Sequence, residues 1–388
     1  MKVGPLIRSI DKHNSSCRSS LAGIHYLLVH TGQHYDFNMS DAFFVDLKLP
    51  EPDVHLGVGS GNHGEQTGRV LIEVEKVLFK ERPDLVIVVG DVNSTMAAAL
   101  AAVKLHIPVA HVEAGLRSFD RNMPEEINRL VTDVVSDYLF TPSPEGDENL
   151  LKEGIPKEKI FLVGDIMVDS LLFHLEEAKK STILNKLSLT NSKLTNQTNQ
   201  INKTTPYALL TVHRPANVDD KVCLERIISG LLEVAAHIPV LFPVHPRTAR
   251  QIKAFGLVSA FEFHNSKDLK PGQYYEDCVL KRKIHCFDPL GYHDFLNLMA
   301  HAAVVLTDSG GIQEETTVLN IPCITLRDTT ERPITLTEGT NVLVHDDPQK
   351  IVAETNKVLS GYYRKAKCPA IWDGHTADRI VRILAEET

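Results

Sequence analysis

TDSGGIQEETTVLNIPCITLRDTTER, residues 307–332, sets out the fold in one line. The apolar run Ala302–Leu306 just before it has strand length, and it ends in Asp308, Ser309, Gly310 and Gly311. Helix formers then fill Ile312–Leu319, so the stretch predicts a strand, a tight glycine turn and a helix start. Adjacent glycines let a backbone approach a ligand closely, and the free N–H groups of a helix N-terminus attract phosphate. The turn therefore suits a diphosphate. Glu314 and Glu315 follow one turn into the helix, within expected reach of ribose hydroxyls, and Arg327 and Arg332 bring positive charge after a short apolar strand. The same letters also fit an ordinary turn between strand and helix with a solvated acidic first turn, so the motif alone does not fix a ligand.

Working outward, the 388 residues exceed the size at which one core stops growing, which predicts two domains of roughly 170–200 residues each. Hydrophobic residues make up 43% and charged residues 23%, and no apolar run approaches the roughly 18 residues of a membrane span. The opening MKVGPLIRSIDKHN lacks the apolar region and cleavage site of a signal peptide. A net charge of −9 argues against non-specific nucleic-acid binding, so an anionic substrate must meet local positive charge. Cys17, Cys223, Cys278, Cys286, Cys323 and Cys368 form no C-x-x-C pair. Scattered cysteines of this kind fit reduced thiols in a cytoplasm better than a disulfide framework or a zinc site.

Strand-like runs alternate with helical patterns, which predicts an α/β protein with parallel sheets covered on both faces. The runs are Ile24–His30, Leu85–Val89, Val109–Val112, Tyr138–Thr141 and Ile160–Val163, then Ala208–Val212, Val240–Val244, Val304–Leu306 and Cys323–Leu326. Between the two sets, Ser181–Pro206 is rich in Asn, Thr, Ser and Lys and reads as a flexible linker or surface excursion. Phe255–Lys283 reads as a local insertion, and no repeat of 20–50 residues is present. Gly59-Ser-Gly61-Asn-His-Gly64 matches a dinucleotide fingerprint in letters only. Pro50 and Pro52 precede it, and no acidic residue ends a second strand at the required distance, so it reads as a glycine loop leading into a helix over His63–Lys80.

Carboxylates cluster at predicted strand ends. Asp91 follows Leu85–Val89 and Glu113 follows Val109–Val112, at the edge where open α/β sheets bind ligands. Pro124-Glu125-Glu126-Ile127-Asn128-Arg129 opens a helix on which Glu125 and Arg129 share a face at i, i+4. Neighbouring carboxylates raise one another's pKa, a way to hold an acid and a base together near neutral pH. Helix capping for Asp91 and a surface pair for Glu125 and Arg129 fit each position separately. In the second half, His213 and Arg214 end one strand and His245 and Arg247 end another, a rim of donors suited to phosphate. Neither H-E-x-x-H nor H-x-H spacing occurs, and no G-x-S-x-G elbow, so neither a catalytic metal nor a serine nucleophile is expected.

HTGQHYD (His30–Asp36), GDVNST (Gly90–Thr95), HVEAGLRSFDRNMPEEINR (His111–Arg129), LTVHR (Leu210–Arg214), PVHPRT (Pro243–Thr248), TDSGGIQEE (Thr307–Glu315) and LRDTTERP (Leu326–Pro333) run through almost the whole chain. In that order they resemble the non-hydrolysing UDP-N-acetylglucosamine 2-epimerases. The resemblance implies two Rossmann-like doubly wound domains of the glycosyltransferase-B type, with substrate in the cleft between them. Expected boundaries are 1–180 for the first domain, 181–206 for a linker, 207–370 for a UDP-binding domain, and 371–388 for a C-terminal helix returning to the first domain. It further implies reversible epimerisation at C2 of UDP-N-acetylglucosamine to UDP-N-acetylmannosamine through 2-acetamidoglucal, in a homodimer and with no added cofactor.

By motif, the implied catalytic residues are Asp91, Glu113, Glu125 and His213. Implied substrate contacts are Lys2, Arg129, Leu290, Phe295, Ser309, Gly310, Gly311, Glu315 and Arg332. Gln33, His34, Arg214 and His245 resemble positions where some bacterial members bind a second, activating UDP-N-acetylglucosamine, although Asp36 replaces their glutamine. The family pattern carries a strand and a Gly-Thr-Arg-Pro-Glu loop ahead of a helix that resembles Lys2–Ile10. Against that pattern, a loosened first domain with exposed strand edges and little turnover is expected of a chain starting at Met1. Pro215, Ala216 and Ile334 also depart from the family's letters. A hydrolysing epimerase or a UDP-sugar glycosyltransferase would share much of the pattern, and a non-enzymatic UDP-binding relative is a third reading.

Overall fold

Branched aliphatic residues disfavour helix and pack well on a pleated surface, and here they form short parallel strands buried on both faces. The computed structural model describes residues 1–16, 23–32, 47–189, 205–264 and 281–387. Two units emerge, Met1–Phe173 with Pro369–Thr388, and His174–Cys368.

In the first unit, β3 (Val86–Val89), β4 (Val109–Val112), β5 (Tyr138–Thr141) and β6 (Ile160–Leu162) form a parallel sheet in that order. Two shorter strands, β1 (Val29–His30) and β2 (Val54–His55), pair in parallel as a separate sheet. Alternation along β4 serves both faces. Val109 joins a cluster with Val70, Val74, Leu78 and Ala97, from helices His63–Glu81 and Asn93–Lys104. Ala110 and Val112 join Leu6, Phe140, Ile380 and Leu384, so that helices Val3–Ser16 and Thr376–Glu387 cover the other face. The single tryptophan anchors the returning C-terminal segment, because Trp372 donates from Nε1 to the Pro142 carbonyl at 2.8 Å. Asp169 then caps the last helix from outside, its two oxygens accepting from the main-chain N–H of Thr376 at 3.1 Å and of Ala377 at 2.8 Å.

The second unit holds seven parallel strands in the order β13-β12-β11-β7-β8-β10-β9. They are β7 (Ala208–Thr211), β8 (Val240–Pro243), β9 (Phe261–Phe263), β10 (Ile284–Phe287), β11 (Val304–Thr307), β12 (Cys323–Thr325) and β13 (Asn341–Leu343). The chain starts at β7 near the middle, runs outward through β8, and later returns to β11 on the other side. The switch point therefore falls between β7 and β11, where the crevice of a doubly wound sheet binds ligands. Both strands are wholly apolar up to a terminal threonine, and Thr211 and Thr307 share a 2.6 Å hydrogen bond at that end.

Several expectations need correction. Of Ile24–His30 only Val29–His30 pairs as a strand, because Leu28 gives its N–H to the Asp53 side chain at 2.8 Å and Tyr26 and Leu27 are exposed. The expected linker is folded over 181–189. Ile183–Lys186 is helical, and Ile183, Leu184, Leu187 and Leu189 are buried among the polar letters that concealed them, while 190–204 lie outside the described residues. Within the expected insertion, Phe261–Phe263 is the edge strand β9, and 265–280 lie outside the described residues. Strands β2, β10 and β13 were also unexpected; β2 and β13 are too short for periodicity to register.

Asp169 satisfies two donors that the last helix would otherwise leave open, so Asp169→Ala should cost about 1–2 kcal/mol. Hydrogen exchange read by mass spectrometry should speed up in the segment containing Thr376 and Ala377 while the second unit is unaffected. Unchanged protection there would show that the cap does not hold the helix.

Candidate active site

The carboxyl ends of β3 and β4 carry the first unit's acidic groups. After β3 the chain turns at Gly90 in a left-handed conformation, φ +75°, where an added Cβ would lie 3.1 Å from Lys2 Nζ and 3.3 Å from Glu113 Oε2. A side chain there would be strained by the positive φ and would crowd the ion pair between Lys2 and Glu113. Glu113 itself has φ +71°, an uncommon and costly state for a residue with a side chain. Its N–H and that of Ala114 both donate to the Phe140 carbonyl at 3.1 Å, which holds the strained turn. Lys2 engages Oε2, whereas the buried Oε1 has no hydrogen-bond partner among the described residues. A buried carboxylate oxygen left open inside its own protein is costly, and it is suited to a donor on a substrate.

Asp91 is governed from the helix Pro124–Val135. Arg129 donates to its Oδ2 from Nε at 3.1 Å and from Nη2 at 2.5 Å, while Asn128 Nδ2 holds its carbonyl at 2.9 Å. The i, i+4 pairing of Glu125 with Arg129 does not form. Arg129 turns inward instead, to Asp91 and, at 2.7 Å, to buried Glu126, which also accepts from the N–H groups of Ser118 and Phe119. Glu125 is left half-buried in the first turn of the same helix. Asp91, Glu113, Glu125, Arg129 and Lys2 thus all belong to the first unit.

Below them lies a network that the sequence reading did not assign. His111 places Nδ1 2.6 Å from Asp133 Oδ1 and Nε2 2.8 Å from the Gly90 carbonyl. Asp133 Oδ2 accepts from Gly115 N–H at 3.1 Å and lies 2.7 Å from Arg117 Nη2, and Arg117 in turn pairs with Glu153 at 2.7 Å. Burial would raise the Asp133 carboxyl, but His111 and Arg117 outweigh it and hold it below the usual range. Breaking a buried pair by removing one partner strands a charge at about 3–5 kcal/mol, so this network is also part of the unit's stability.

In the second unit the switch point is organised by Asp308. Fully buried, it accepts from His213 N–H at 3.0 Å, Arg214 N–H at 2.8 Å and Asn217 Nδ2 at 3.1 Å, and its carbonyl takes Arg214 Nε at 3.0 Å. His213 Nδ1 lies 3.2 Å from Asp308 Oδ1, and the ring of His213 is 6.1 Å from that of His245. The helix begins at Gly310 with Ser309 as its N-cap residue, two residues before the expected start. Gly310 is required by space, not by φ. An added Cβ would fall 2.5 Å from Arg332 Nη1, because the Arg332 guanidinium lies over the first turn.

The two acidic residues of that helix part ways. Glu314 forms an ion pair with Arg332, and Arg327 is likewise paired with Glu331. Glu315 accepts from the Tyr292 hydroxyl at 3.0 Å, and burial, with Glu314 adding to it, pushes its carboxyl up to about 7 against that bond. Leu290 lines a cavity of about 250 Å³ with Phe287, Pro289, Ile183 and Leu187, and half-buried Phe295 lies on the helix that follows. Gln33 and His34 lie outside the described residues. Asp308, Asn217 and Tyr292 were missed as site residues, although the strand-end position of Asp308 was the available signal.

One group among the described residues has metal-ligand chemistry: Cys223, His345 and Asp346 bring ligand atoms within 4.8 Å of one another. Its members already have other partners, since His345 Nδ1 lies 3.1 Å from Asp328 and 3.0 Å from Asp346, and Arg226 takes the second Asp346 oxygen at 3.3 Å. Burial and Asp346 push the Cys223 thiol up to about 11, away from the thiolate that a metal needs.

Residues 19–385 match the model of a family described as UDP-N-acetylglucosamine 2-epimerase. The chain is 44% identical over 386 residues to the UDP-N-acetylglucosamine 2-epimerase of Methanocaldococcus jannaschii, covering 99% of this chain and 95% of that protein. It is 40% identical over 363 residues to the UDP-2,3-diacetamido-2,3-dideoxy-D-glucuronate 2-epimerase of Pseudomonas aeruginosa, covering 93% and 91%. A crystal structure of the M. jannaschii enzyme in complex with UDP-GlcNAc and UDP is similar with a TM-score of 0.80 and 42% identity, over 99% of this chain and 96% of that one. The parallel α/β units are accordingly Rossmann-like, of the glycosyltransferase-B type. With a family model spanning nearly its whole length and relatives this similar, the chain belongs to the UDP-N-acetylglucosamine 2-epimerase family of isomerases.

Proposed function

We propose that the chain interconverts UDP-N-acetylglucosamine and UDP-N-acetylmannosamine by eliminating and re-adding UDP. The observation that carries this reading is Glu113, held in a strained turn with one buried oxygen on Lys2 and the other open. In the forward step a carboxylate of the first unit takes the C2 proton, the C1–O bond to UDP breaks with its electron pair, and a C1=C2 double bond forms, giving 2-acetamidoglucal. Returning a proton to the opposite face of C2 while UDP re-forms the C1–O bond gives the epimer. Acid and base must act on two faces, a task assigned to Asp91, Glu113 and Glu125. Charge developing on the departing diphosphate is assigned to the helix start at Ser309–Gly311, with Arg332 and His213. Glu315 is assigned to the ribose and Leu290 and Phe295 to the uracil. The reading includes a cytoplasmic homodimer, on the family resemblance and the scattered cysteine spacing of the sequence.

Incubation of a form carrying the family's leading strand and Gly-Thr-Arg-Pro-Glu loop with UDP-N-acetylglucosamine in deuterated water should place deuterium at C2 and yield the manno epimer. Free N-acetylmannosamine plus UDP as the only stable products would replace this reading with a hydrolysing one. Turnover confined to UDP-2,3-diacetamido-2,3-dideoxy-D-glucuronate would move the substrate to that of the Pseudomonas relative.

The raised Glu315 carboxyl gives a second expectation. Ribose hydroxyls donate to the ionised form, so binding below pH 7 must first expel a proton. Affinity for UDP-N-acetylglucosamine should therefore rise with pH up to about 7, by at most about tenfold per unit, and then level off. In Glu315→Gln this slope should vanish. A slope that survives the substitution would assign the titration to another group.

A further inference from the structure

His111 and Asp133 link the strand ends and the helix that carry the first unit's carboxylates, yet neither can touch a substrate. Both side chains are 0% exposed. From β4, the His111 ring bridges the carbonyl of Gly90, the residue before Asp91, to the Asp133 carboxylate on the helix that carries Glu125 and Arg129. The other Asp133 oxygen holds the N–H of Gly115, two residues beyond Glu113. One imidazole and one carboxylate thereby tie together the ends of β3 and β4 and the helix Pro124–Val135. Gly115 has φ +77°, and an added Cβ would overlap the Gly146 main chain, so the loop after Glu113 is clamped from the opposite side as well. The charged groups facing the pair are Arg117, beside Asp133, and Glu153 behind it.

We propose that His111 and Asp133 are a positioning pair that fixes the Asp91 and Glu113 carboxylates relative to each other for proton transfer at C2. The proposal rests on the reading that those carboxylates move that proton. The two ring nitrogens of His111 reach the Asp133 carboxylate and the Gly90 carbonyl in opposite directions, a span that a side-chain amide of similar length reproduces only in part. A misplacement of about 1 Å in a reacting group costs on the order of 100-fold in rate. Binding of UDP, assigned to the second unit, does not depend on the pair.

The test compares His111→Gln with Glu153→Gln, which perturbs the same buried charge network from its far end. His111→Gln should lower kcat by about 100-fold, with KM for UDP-N-acetylglucosamine and Kd for UDP within about twofold of the parent values. Glu153→Gln should lower the melting temperature and leave kcat within about twofold. If His111→Gln is recovered only unfolded, Asp133→Asn is measured against the same criteria. Turnover that falls in step with melting temperature in both variants, or full turnover in His111→Gln, overturns the positioning role. An unsubstituted form carrying the family's leading strand and Gly-Thr-Arg-Pro-Glu loop that binds UDP but epimerises nothing counts against the functional reading itself.

Discussion

A carboxylate with no access to water cannot stay charged unless cations and N–H groups surround it, and Asp133 is such a group. What compensates it also builds the first unit's rim. His111 comes from β4, Arg117 and Gly115 from the loop after it, and each is drawn to one point by the same charge. Because Arg117 is itself held by Glu153, charge alternates in sign from Asp133 through Arg117 to Glu153 at the surface. The arrangement is of high stakes energetically: complete, it specifies one geometry, and missing a member, it would leave an ion in a dry interior.

Asp308 plays the corresponding part in the second unit with main-chain donors in place of ions. Its oxygens gather the N–H groups of His213 and Arg214, so the end of β7 is shaped by a residue at the end of β11. A threonine pair closes the strands beneath it. In both units a buried acid fixes a neighbouring strand end, and the more exposed acids and bases are positioned by it.

Much of this architecture is legible in the sequence. The runs at Val109–Val112, Tyr138–Thr141 and Ala208–Val212 are mostly buried on both faces and carry a mainly apolar signal, broken by His111, Thr141 and Thr211. Two-residue and three-residue strands such as Val54–His55 and Asn341–Leu343 carry none, because their pairing is dictated by the sheet they join. The apolar residues of Ile183–Leu189 stand among polar letters and are interpretable only when the surface they cover is known. Motif letters located the rim carboxylates and the glycine turn, but not their partners. Glu125 and Glu126 are adjacent and identical in type, and only the inward turn of Arg129 decides which of them becomes the buried ion. His111 and Tyr292 likewise look like ordinary core residues until both ends of their hydrogen bonds are visible.

The stacking of Arg332 over Gly310 limits how this turn can drift. With room for only a hydrogen atom beneath the guanidinium, any side chain at 310 requires that the arginine first retract. Retracting it would loosen its ion contact with the buried Glu314, so the three positions are physically coupled. A side chain gained at 310 alone meets the guanidinium and must displace it. Paths that shorten 332 and neutralise 314 together avoid this, and lineages altering this helix start should carry those changes as a set.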